Sequence, residues 1–75
     1  MIHELDTVVL KHDIREHGLK AGDIGAVVLS HRDGEAFEVE FVTGEGQTVA
    51  VLTLRAQELR SMQAQEILHA RELVA

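Results

Sequence analysis

The most regular alternation of apolar and polar positions lies at Ala36-Phe37-Glu38-Val39-Glu40-Phe41. Phe37, Val39 and Phe41 fall on one side and Glu38 and Glu40 on the other. A period of two marks an antiparallel strand with one face buried, which places both aromatic residues of the chain in a core. Upstream, Asp6–Leu10 and Gly25–His31 are short, apolar and β-branched, and read as two further strands. The turn between the second and third strands falls at Arg32-Asp33-Gly34-Glu35, where Gly34 supplies the positive φ that a tight turn needs. Thr43–Gln47 is a second turn. It leads into Thr48–Leu54, a fourth strand that is apolar on both faces. A half-solvated strand does not have that composition, so its second face requires a cover. The side bearing Ala50, Leu52 and Leu54 is read as the outward one.

Lys11–Asp23, between the first two strands, is polar and irregular, with glycines at Gly18 and Gly22 and Leu19 as an inward anchor. It is long for a connector in a small domain, which marks it as a structured and functional loop. Arg55–Glu58 suits a single helical turn, and Leu59 resumes the apolar pattern as a brief fifth strand. Beyond Ser61 the chain changes character. Met62–Val74 holds neither Gly nor Pro and is rich in helix formers, which predicts a helix with Ser61 as its N-cap. Gln65, His69 and Glu72 share one face of it. Ala64, Ile67, Leu68 and Val74 occupy the other, interrupted by Arg71. Such a short helix is marginal alone in water, so it must dock on its own barrel or on another chain. The expected architecture is mainly β: a small five-stranded SH3-like barrel over residues 1–60, followed by a helical tail over residues 61–75.

Several stretches resemble one family, catalogued as domain of unknown function 4926. They are Leu5–Leu10, Glu16-His17-Gly18-Leu19 running into Gly22-Asp23-Ile24-Gly25-Ala26-Val27-Val28, Phe37–Val42 and Thr48–Leu54. The resemblance covers most of residues 5–60 and leaves the tail outside. It implies a small bacterial SH3-like protein without an assigned activity, whose partner is encoded by a neighbouring gene in a toxin–antitoxin-like arrangement. More distantly, Gly22–Val28 is similar to the turn-and-strand signature of KOW modules and to the barrel of nitrile hydratase β subunits. Gly25, at the junction of loop and strand, permits a bulge or a close backbone approach.

Composition narrows the function classes. The chain has 75 residues, enough for one core only, and no cysteine, so neither a disulfide nor a thiolate is available. Thirteen acidic against seven basic residues give a net charge of -6. The basic residues are scattered, and no Trp or Tyr offers a stacking platform, which disfavours nucleic acid as a ligand. No stretch approaches the roughly 18 apolar residues of a membrane span, and Met1–Asp6 lacks the pattern of a signal peptide. A cytoplasmic location is expected.

Five histidines raise the question of a metal. His12 and His17 share the loop with Asp13 and Glu16, and His3 precedes the first strand, but the spacing follows no ligand pattern, and no cofactor is expected. His31 is expected to hydrogen-bond within its turn, and His69 to make contacts along the helix surface. Ser30 and Ser61 have no base and orienter beside them, so no enzyme is expected. Glu38 and Glu40 read as a solvated strand face. The preferred function is a non-enzymatic protein-interaction module. Its partner-binding residues would be His17, Leu19 and Lys20 of the loop, Ala50, Leu52 and Leu54 of the fourth strand, and Ile67 and Leu68 of the tail. Homodimerisation through the same patch stays open. The alternatives are a KOW-like nucleic-acid adaptor and an accessory subunit of a larger enzyme.

Overall fold

The computed structural model describes residues 2–73. Five strands follow one another as β1 (Thr7–Leu10), β2 (Ile24–His31), β3 (Ala36–Val42), β4 (Thr48–Arg55) and β5 (Leu59–Ser61). They form one antiparallel sheet in the order β4-β3-β2-β1-β5, with β4 and β5 as its two edges. The sheet is not closed. Among the described residues no backbone hydrogen bond crosses the outer edge of β4. Single 3₁₀ turns occupy Arg15–His17, Arg32–Gly34 and Ala56–Glu58, the last at the helical turn expected there.

The alternation in β3 translates directly into burial. Phe37, Val39 and Phe41 are almost wholly inaccessible, and with Val8, Leu10, Leu19, Val27, Leu54 and Leu59 they make one core. Leu19 reaches that core from the long loop, as its flanking glycines suggested. Gly25 is the closest backbone approach. A Cβ there would lie 2.6 Å from Val39 Cγ1 and 3.0 Å from Phe41 Cε1, inside the packed face of β3. β2 carries a bulge between Val27 and Leu29, and a second irregularity falls between Phe41 and Val42. Bulges bend and twist a sheet, which curves β2–β4 around their inner side chains.

The turn from β2 to β3 is more strained than a two-residue hairpin. Arg32, Asp33 and Gly34 have φ of 48°, 55° and 94°, so three successive residues lie in the left-handed region. Leu5 also has a positive φ, 75°.

Two expectations are corrected. First, the face of β4 bearing Ala50, Leu52 and Leu54 points inward. Directly paired residues share a face, and the register sets Phe37 opposite Leu54, Val39 opposite Leu52 and Phe41 opposite Ala50. Leu54 is buried and Leu52 packs against the core. Second, residues 62–73 are not helical. One turn at Ala64-Gln65 is followed by irregular chain, and Val74 lies outside the described residues. Side-chain pairs fix this path instead of backbone ladders. Arg60 grips Glu66 with both terminal nitrogens (2.8 and 2.7 Å), and Glu66 also accepts the Gln63 N–H at 2.7 Å. Farther on, Arg71 reaches back to Asp23. For a short segment whose helix nucleation is unfavourable, these contacts decide the conformation.

Candidate functional site

Three surfaces were open to a functional role: the outer face of β2–β4, the Lys11–Asp23 loop, and the groove over which the tail passes. The outer face carries Glu38 and Glu40 in the middle. Leu29, paired with Glu38, and the bulged Val28 lie on the β2 side, with Val51, paired with Glu40, on the β4 side. Val28, Leu29 and Val51 are each about half exposed. The carboxylates are engaged by neighbours. Glu38 Oε2 accepts from Thr53 Oγ1 at 2.6 Å and lies 2.8 Å from His31 Nε2, while Glu40 accepts from Thr48 Oγ1 at 2.8 Å. The Thr53 bond and then the His31 bond hold the Glu38 carboxyl below its ordinary value. The His31 ring therefore bonds across to β3, while its carbonyl accepts the Glu35 N–H within the turn at 3.2 Å.

In the loop, Asp13 accepts the Ala21 N–H at 2.9 Å, and an Ile14–Leu19 backbone bridge closes the Arg15–His17 turn. Gly18 ends that turn with φ of 70°. His12 sits between two acceptors, with Nδ1 2.9 Å from the Asp13 carbonyl and Nε2 2.9 Å from Glu58 Oε1. Only the doubly protonated ring satisfies both, so the Asp13 carbonyl first and Glu58 second raise its pKa above 6.5. The Glu58 carboxyl is lowered, mainly by the Arg55 N–H that it accepts. His17 is exposed and lines a shallow cavity of about 320 Å³ with His12, Asp13, Glu16 and Glu58. Among the described residues, no three His, Asp or Glu side chains converge in a metal-binding arrangement.

The groove is built from Leu19 and Ile24 on one side and Phe41, Val42 and Val49 on the other, with a volume of about 320 Å³. His69, Ala70, Arg71 and Leu73 of the tail border it. Arg71 Nε donates to Asp23 Oδ1 at 2.8 Å, while its Nη2 donates to Asp23 Oδ2 and, at 2.9 Å, to the Gly18 carbonyl. The guanidinium holds the Asp23 carboxyl below its ordinary value, with the Lys20 N–H as a smaller contribution.

Of the residues expected to bind a partner, His17 and Lys20 are exposed on the loop, and Ile67 and Leu68 on the tail are 90% and 65% exposed. Leu19 and Leu54 belong to the core, and Ala50 and Leu52 face it. The structure does not gather the eight into one patch. His69 borders the groove and makes no helical contact. Asp23 and Arg71, which join loop and tail across 48 positions, were missed. No local spacing relates two residues so far apart.

Fold and surface together define a small antiparallel β-domain whose single core is closed by a structured loop. The chain belongs to the family described as Domain of unknown function (DUF4926), whose model matches residues 4–61, all five strands included. No curated protein and no solved structure matches the chain.

Proposed function

We propose that the chain is a non-enzymatic protein-interaction module on an SH3-like barrel, acting in the cytoplasm on a protein partner encoded nearby, in the manner of a toxin–antitoxin pair. Strand order supports the barrel reading: a meander from β1 to β4, one 3₁₀ turn, then β5 returning to pair with β1. The interaction reading is carried by the outer face. Val28, Leu29 and Val51 expose aliphatic surface around two carboxylates already occupied by threonines and a histidine. Exposed aliphatic side chains gathered on one face, beside carboxylates whose hydrogen bonds are already made, form a surface that contact with another protein can cover. The acidic balance of the chain and its inward aromatics weigh against the KOW-like alternative.

The test is co-purification of the tagged chain from its native cell, with the captured protein identified and then reconstituted from pure components. The complex is expected to be lost with Leu29→Asp or Val51→Asp and retained with Glu45→Gln, a turn position away from the face. Leu52 is unsuitable as a probe because it packs on the core. Micromolar RNA binding that weakens steeply with salt would displace the proposal.

A further inference from the structure

The groove beneath the tail goes beyond the outer face just described and shares none of its residues. Its polar end is organised independently of the tail. The Asp23 backbone N–H donates to Lys20 O at 2.9 Å, and its carbonyl accepts the Leu10 N–H of β1 at 2.9 Å. Its carboxylate Oδ2 also accepts the Lys20 N–H at 2.8 Å. The Gly18 carbonyl is set by the left-handed end of its turn and by the Ile14–Leu19 bridge. Two acceptor positions are thus fixed by the loop and by β1. A planar, forked cation fits such a pair better than a compact ammonium does.

Carboxylate and carbonyl both lie within the family-matched residues 4–61, whereas Arg71 lies outside them. Between its anchors at Glu66 and Arg71 the tail leaves Ile67 and Leu68 in solvent, so little packing secures it there. The Arg60–Glu66 pair that anchors the start of this stretch is itself partly exposed, and pairs of that kind hold weakly. The tail therefore has the properties of an exchangeable occupant.

We propose that Asp23 and the Gly18 carbonyl form a guanidinium-binding site at the end of the Leu19–Ile24–Phe41–Val42–Val49 groove. Its ligand class is an extended peptide bearing an arginine with an aliphatic residue two positions on, and Arg71 and Leu73 of the tail fill it in cis. A partner segment of that chemistry competes with the tail for the site. Charge complementarity fixes the occupant: Asp23 and the Gly18 carbonyl are both acceptors, and among the described residues the side chain seated on them is the Arg71 guanidinium.

The test uses the full chain and a fluorescent synthetic peptide of residues 62–75. Tethering gives the tail a high effective concentration, so wild-type protein is expected to bind the peptide at least about tenfold more weakly than Arg71→Ala, whose site is open. Adding Asp23→Asn to Arg71→Ala is expected to weaken binding by about tenfold, and so is replacing the peptide arginine with lysine, which lacks the fork. Dispersed amide NMR spectra establish that each variant is folded. Equal peptide binding by wild type and Arg71→Ala, or indifference to Asp23→Asn, overturns the proposal. A wild-type dimer that dissociates on Arg71→Ala also overturns occupancy in cis and gives the tail site to a second copy. None of these readouts involves Leu29 or Val51, so failure here is distinguishable from failure of the outer-face proposal.

Discussion

Two glycines illustrate different reasons for having no side chain. At Gly25 the backbone conformation is ordinary, and the constraint is space, since a methyl group would press on Val39 and Phe41 in the tightest part of the core. At Gly34 the constraint is φ, 94°, with the nearest contact to an added Cβ 4.0 Å away at Phe37 Cζ. Gly25→Ala is expected to destabilise by about 1–3 kcal/mol through overpacking. Gly34→Ala is expected to cost about 1–2 kcal/mol through backbone strain alone. Urea denaturation measures both. The two differ in rescue: Val39→Ala should recover part of the Gly25→Ala loss, because it removes the methyl in conflict, and none of the Gly34→Ala loss. Full additivity of Gly25→Ala and Val39→Ala would rule out the clash.

The five strands and the tail differ in how their conformations are determined. β3 was legible because strict alternation sets both its type and its phase. The Ala56–Glu58 turn was legible from local composition, and the bend at Gly34 from its Asp-Gly pair. β4 was recognised as a strand, but with apolar residues on both faces its sequence contains no phase. Pairing with β3 supplies it, by placing Leu54 beside Phe37. The tail was misread for a related reason. Helix propensity is a local sum, whereas its observed path depends on Arg60 with Glu66 and on Arg71 with Asp23, the latter between distant parts of the chain.

These pairs make the tail acid-sensitive. Arg60 lowers the Glu66 carboxyl to about 2, and Arg71 lowers that of Asp23. Because both groups are more acidic when the tail is docked, their stabilisation is complete above the ordinary values of 4.5 and 3.8 and is lost as the pH falls, through about 2 for Glu66 and through the lowered value for Asp23. The His12 clip behaves in the opposite sense. Its raised pKa stabilises the loop contact below 6.5, and the effect is lost as the pH rises through the raised value. In an NMR titration, amides of Ile67–Leu73 are expected to shift toward random-coil positions below pH 4.5 while Val39 stays native-like. Simultaneous loss of tail and core signals would contradict a separately held tail.

Over the whole molecule, one core serves every strand, and no cysteine is present to reinforce it. The radius of gyration is 11.7 Å, against roughly 11 Å for a folded domain of this length. An irregular tail directed away from the sheet would raise that value, so the two arginine anchors keep it against the domain. The sheet itself ends abruptly at β4. Thr48–Leu54 contains no charged residue and no proline, and Arg55 alone closes it off.

That bare margin has a consequence for handling the protein. At alternate residues of this eight-residue strand the N–H and C=O groups point away from β3 and make no backbone hydrogen bond among the described residues, a template on which another extended chain can grow. Concentrated or partly unfolded samples are therefore expected to convert into thioflavin-positive fibrils, seeded from this border. Val51→Lys should delay their onset without lowering the urea midpoint, whereas an unchanged lag time would place the seed elsewhere.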